Sequence, residues 1–236
     1  MKPLRFFVLA TAMVLAGRMS RLEAQTPVIL QVTAARDTFV TPGPANSLTS
    51  RNFGGAGALE ISGNALSKGP AKAVIQFDFA VLKTSFDQAF GVSGWKIDDV
   101  KLELTGSPPN NAIFNSPVNG GVIQVQWTPA NNWVEGVGTP MSAANSPEAT
   151  TGLVWQNFGS LTAGTENEGT LTFTGSQAPT DFPLAPSNGL LGDIASGALA
   201  SLILTAADPT VTAVFNSSSF KTPANRPSLL VTASSY

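Results

Sequence analysis

The chain has 236 residues, with 13 Lys and Arg against 15 Asp and Glu, and it contains neither histidine nor cysteine. Those two absences exclude Ser-His-Asp triads, Cys-His dyads and the imidazole or thiolate sites usual for zinc, copper and haem. The mild acidity, with no basic cluster, excludes nucleic acid and anionic membrane as natural partners.

The first 24 residues read as an export signal. Lys2 and Arg5 precede an almost wholly apolar run from Phe6 to Gly17, and Ala24 is a small residue before Gln25. Cleavage there predicts a single domain over residues 25–236, located outside the cell or at its surface. A bilayer takes about 20 apolar residues to span, so this shorter run is not expected to insert, and no second one follows. Beyond residue 24, nine Lys and Arg face fourteen Asp and Glu.

The recurring signal from there on has period two. Residues 59–61 form a short alternating piece. In 72–79 the side chains of Ala73, Ile75, Phe77 and Phe79 fall on one face while Gln76 and Asp78 fall on the other, as in a half-buried strand. The same alternation predicts strands over 100–105, 123–127 and 170–174, with shorter ones over 201–205 and 229–232. Gly, Pro, Asn and Ser cluster between them, as in 106–111, which is turn chemistry. No segment of ten or more residues keeps a clean 3.6 period, and residues 190–199 can make one short helix. With 22 glycines and 17 prolines spread through the chain, the economical fold is all-β: an antiparallel, jelly-roll-like β-sandwich with long loops and at most one or two short helices.

The order of the pieces resembles a known family. Arg36-Asp37-Thr38-Phe39-Val40 is followed by Asn52-Phe53-Gly54-Gly55, Leu59-Glu60-Ile61, the strand over 73–79 and Ile97-Asp98-Asp99-Val100-Lys101-Leu102. Trp133-Val134-Glu135-Gly136 and Gly152-Leu153-Val154-Trp155-Gln156-Asn157 come next, and Phe215-Asn216-Ser217 with Arg226-Pro227-Ser228-Leu229 closes the series. Together they resemble the DNRLRE domain, which is similar to carbohydrate-binding module family 96, over nearly the whole mature chain. The resemblance implies a jelly-roll sandwich on secreted or surface proteins, often beside polysaccharide-degrading enzymes, with some members binding acidic polysaccharides such as alginate. The family places an Arg-Glu pair shortly after the late Phe-x-Ser, where this chain has Ser218-Ser219-Phe220.

Candidate ligand residues are Trp95, Trp133, Glu135, Trp155 and Arg226. Trp133-Val134-Glu135 can be read as a sugar platform beside a carboxylate or as the staple of a long loop, and the staple carries more weight. An excursion of about 25 residues without regular structure needs its own small core, which two indoles can provide. Trp127 continues the face of Ile123 and Val125 and reads as core. Trp95 follows a Gly-rich turn and reads as a strand-edge anchor or an exposed stacking ring. Asp98 and Asp99, adjacent in a strand, point to opposite faces and cannot flank one glycosidic bond. Only hard oxygen donors are available, so calcium is the compatible cation, though no Asp-x-Asp-x-Asp-Gly loop locates it. The expectation is a non-catalytic domain binding extracellular or cell-surface polysaccharide. If the glycan is acidic, Ca²⁺ or a cluster drawn from Arg36, Arg51, Lys68, Lys72, Lys221 and Arg226 supplies the attraction. A structural or adhesive matrix protein without sugar binding is the alternative, and a polysaccharide lyase or glycoside hydrolase a remote one.

Overall fold

The computed structural model describes residues 26–108, 120–143 and 146–236, so the expected export signal lies outside the described residues. Period-two segments become strands throughout. In chain order these are β1 (Val28–Thr33), β2 (Arg36–Val40), β3 (Ala58–Ser62), β4 (Lys72–Asp78), β5 (Trp95–Thr105), β6 (Gly121–Thr128), β7 (Glu166–Phe173), β8 (Pro179–Pro183), β9 (Leu199–Ala206), β10 (Thr212–Asn216) and β11 (Ser228–Ser235). They form a five-strand sheet in the order β2-β4-β9-β6-β7, a four-strand sheet β1-β11-β5-β8 and a β10-β3 pair. Every pairing is antiparallel.

One apolar core joins the inner faces of all three. Ile75, Phe77, Leu202, Leu204, Ile123 and Val125 from the five-strand sheet meet Leu102, Leu104 and Val231 from the four-strand sheet and Phe215 from the pair. This is the sandwich that the alternation implied, because side chains two apart share a face and the facing sides of the sheets bury together. Strand β5 begins at Trp95, five residues earlier than its clearest alternation, and its partner β11 carries an irregularity between Thr232 and Ala233. The adjacent acids do separate: Asp98 pairs with Lys96 and Asp99 with Lys101, each with the neighbour two residues away on its own side.

Helices exceed the expectation by number. Helix α1 (Ala80–Phe90), the short α2 (Pro147–Thr150) and α3 (Asn188–Ser196) are present. The last lies where residues 190–199 suggested a helix, with Ser187 accepting from the Leu190 amide at its start and Gly197 in the left-handed region at its end. Helix α1 was illegible because it buries only Leu82 and Phe86, a single i,i+4 pair, too little for a periodic stripe. Local and tertiary contacts hold it instead. The Asp78 carboxylate accepts from the Ala80 amide at 3.0 Å, and Phe86 packs on Trp95 with ring centroids 4.9 Å apart.

Between β6 and β7 the chain leaves the sandwich for residues 129–165 and folds back over the outer face of the five-strand sheet. Trp133, Leu153, Phe158 and Leu161 bury there against Val40, Val74 and Ile203, forming a second core. That placement sets up the candidate sites.

Candidate functional site

The five residues singled out in sequence do not converge. Trp95 is 7% exposed, packed at a tilt against Phe86, and its indole Nε1 donates to Asp87 Oδ1 at 2.9 Å. It is an anchor of α1 on β5 and has no ring face open to a sugar. The Asp87 carboxyl is held below its ordinary range by Lys83 first, then by this indole.

Trp133 is likewise 7% exposed, which corrects the platform reading. Its Nε1 donates to Ser201 Oγ at 3.0 Å. Ser201 in turn donates to Asn131 Oδ1 and accepts from Gln76 Nε2. Gln76 also donates to the Asn131 carbonyl, and Asn131 Nδ2 donates to the Leu199 carbonyl. This chain of polar groups tethers the excursion to β4 and β9. Arg36 closes the other side: its guanidinium lies 5.4 Å from the Trp133 ring centroid and Nη1 donates to the Trp133 carbonyl at 2.7 Å.

Asn52 is the second tether, and its position in Asn-Phe-Gly-Gly is the only sequence signal that points to it. Fully buried, it uses all of its amide. Nδ2 donates to the carbonyls of Glu135 and Leu153, and Oδ1 accepts from the amides of Gly54 and Gly138. Gly136 passes so close that a Cβ there would sit 2.3 Å from Asn52 Oδ1, and its φ of +77° also favours glycine. The Gly of Trp-x-Glu-Gly is thereby explained.

Glu135 turns its carboxylate to the free edge of β2, where Oε1 accepts from the Asp37 amide at 3.0 Å. Burial pushes its pKa up, and the Asp37 amide and Arg36 pull it back. Asp37, facing inward and 1% exposed, accepts the Ser218 amide at 2.6 Å through Oδ2. Burial foremost, with the nearby Glu135 charge adding to it, raises the Asp37 pKa to about 7. Neither Asp37 nor Ser218 was a sequence candidate.

Trp155 stands apart from Trp133. It is half-buried at the rim of the second core, and Lys72 Nζ lies 5.2 Å from its ring centroid and 5.3 Å from that of Phe158. Together Trp155 and Lys72 form one wall of a cleft of about 360 Å³, whose other wall includes Asn64, Thr205 and Asp208. Arg226 donates from Nε to the Phe220 carbonyl at 2.8 Å, closing the loop before β11. Trp127 is half-buried as a lid on the main core. Its Nε1 donates to Asp193 Oδ2 at 2.8 Å, and its ring lies so close to Gly189 that a Cβ there would come within 2.4 Å. Asn216, within a glycosylation-like triplet, is 3% exposed. Among the described residues no three acidic groups gather as a metal cluster.

No protein-family model matches the chain, and no curated protein matches it either.

Proposed function

We propose that the protein is a secreted, non-catalytic, carbohydrate-binding module-like domain, and that the Trp155–Lys72 cleft is its sugar subsite. The observation that carries this is the accessible indole beside a cation in a concave site. Of the candidate tryptophans it is the most open to solvent, Trp95 and Trp133 being only 7% exposed, and neighbouring hydroxyl, amide and carboxylate groups can hydrogen-bond sugar hydroxyls. A resemblance to the DNRLRE domain points the same way, toward extracellular or cell-surface polysaccharide. Lys72 gives an acidic, alginate-like chain its counter-charge. The non-catalytic reading rests on chemistry: of the interacting carboxyl pairs Asp37–Glu135 and Glu166–Glu168, each has one member, Asp37 or Glu168, sealed from solvent, where no glycosidic bond can reach it.

Affinity electrophoresis through gels containing alginate, pectin, xylan or cellulose tests it. Wild-type protein is expected to be retarded by at least one gel, with a dissociation constant on the order of micromolar to millimolar. Trp155→Ala and Lys72→Ala should abolish that retardation. Shortened polysaccharide chains after incubation would overturn the non-catalytic reading. A second reading, a structural or adhesive matrix protein, is favoured by the burial of Trp95 and Trp133 as architecture, and absence of retardation in every gel would select it.

A further inference from the structure

Three segments distant in sequence meet at the free edge of β2: Asp37 of the strand, Glu135 of the excursion and Ser218 of the loop after β10. Asp37 is 1% exposed, and only one of its carboxyl oxygens is used. Oδ2 accepts the Ser218 amide, whereas Oδ1 is buried without a hydrogen-bond partner. Buried polar oxygens in folded proteins are almost always paired, with protein, water or an ion. Beside this orphan sits a second carboxylate, since Glu135 bonds the Asp37 backbone and its charge acts on the Asp37 carboxyl. The Ser218 side chain interacts with both carboxyls.

The local charge is not balanced by protein. Arg36 attracts Glu135 but commits Nη1 to the Trp133 carbonyl and lies over the Trp133 ring. Among the described residues no ion pair reaches either carboxylate. Two carboxylates and a hydroxyl in a mostly dry position are hard oxygen donors short of positive charge.

We propose that Asp37 and Glu135, with the Ser218 hydroxyl, hold one hard divalent cation of the calcium class. Further coordination comes from water or backbone carbonyls, which calcium's flexible shell accepts more readily than the strict octahedron of magnesium. Glu135 also lines a cavity of about 530 Å³ together with Arg36, Val134, Gly136 and Thr151, so its side of the pair is open to ions from solvent. The cation ties β2, the excursion and the loop before β11 to one point. This site is separate from the Trp155–Lys72 cleft and stands or falls without it.

Purified protein stripped with EDTA is titrated with Ca²⁺ up to about 10 mM, a range that covers extracellular calcium modules, and followed by thermal melting. Terbium is the second probe, its luminescence sensitised by the neighbouring Trp133 indole. Wild-type protein should gain about 5 °C in Tm at saturation, with a smaller gain from Mg²⁺, and should sensitise terbium displaceable by Ca²⁺. Asp37→Asn removes the repulsion along with the ligand. Its metal-free Tm should equal or exceed that of stripped wild type while the calcium response and terbium signal vanish. Glu135→Gln, whose side chain is nearer the surface, should weaken calcium at least tenfold and serves if Asp37→Asn misfolds. Absence of any wild-type response to Ca²⁺ and terbium overturns the proposal, as does an unchanged response in both variants.

Discussion

The five-strand sheet carries a core on each face, and the two are built from different chemistry. On the inner face, Phe77, Ile75 and Leu202 meet the opposite sheets with apolar contact alone. On the outer face the excursion 129–165 supplies only a few apolar side chains, chiefly Trp133, Leu153 and Phe158. It adds buried polar tethers through Gln76, Ser201, Asn131 and Asn52. The difference teaches how a long irregular segment stays ordered. A strand pairs its own backbone through the sheet, whereas a loop laid on a surface must find each buried N–H and C=O a partner. Side-chain amides do that here.

The largest expected effect compares the two cores directly. Phe77→Ala should cost about 4 kcal/mol and Trp133→Ala about 3 to 4, as for buried aromatic truncations. Denaturant melts should show one transition for each variant if the outer core folds with the sandwich. A separate early transition for Trp133→Ala would break the two cores into independent units.

Next comes the polar tether. Asn52→Ala leaves two glycine amides and two carbonyls without their buried partner, and about 3 kcal/mol should be lost. Hydrogen exchange should quicken in 134–138 and 152–154 before it does in β4. Equal quickening in both would mean that the tether serves the whole fold.

The third effect is in pH. Because the folded pKa of Asp37 is raised to about 7, folded protein holds a proton that unfolded protein releases near the ordinary aspartate value of 3.8. This contribution is complete below the unfolded value and is lost as pH rises through about 7. In EDTA, stability should therefore fall by about 2 kcal/mol between pH 5 and pH 7, with Glu135, also raised, adding in the same sense. Asp37→Asn should flatten the curve. A wild-type profile that is flat or rising over that window would contradict the burial of an unpaired carboxyl.

The smallest effect separates site from scaffold. Trp155, half-buried at the rim, should lose only about 1 kcal/mol on change to Ala while losing glycan retardation. A cost near that of Trp133→Ala would return Trp155 to the scaffold and weaken the cleft as a sugar subsite.

Period-two alternation alone was enough to place β4, β6, β7 and β9, because alternate residues of each enter the main core. The export-like start, the all-β class and the exclusion of histidine and cysteine chemistry also follow from residue order and composition. The edge strands β1 and β8 and helix α1 did not stand out, since each is anchored by few buried side chains and owes its form to neighbours. Among the tryptophans, sequence favoured core for Trp127 and a loop staple for Trp133 and Trp155 but could not separate those last two. Burial is set by what lies across from a ring, and Phe86 across from Trp95, Ser201 across from Trp133 and open space beside Trp155 are facts of the tertiary structure. The meeting of Asp37, Glu135 and Ser218 is of the same kind. Residues roughly a hundred and eighty apart become neighbours only when β2, the excursion and the loop after β10 close on one edge. Local chain chemistry dictates strand and turn, but charge crowding and cavities arise from contacts distant in sequence.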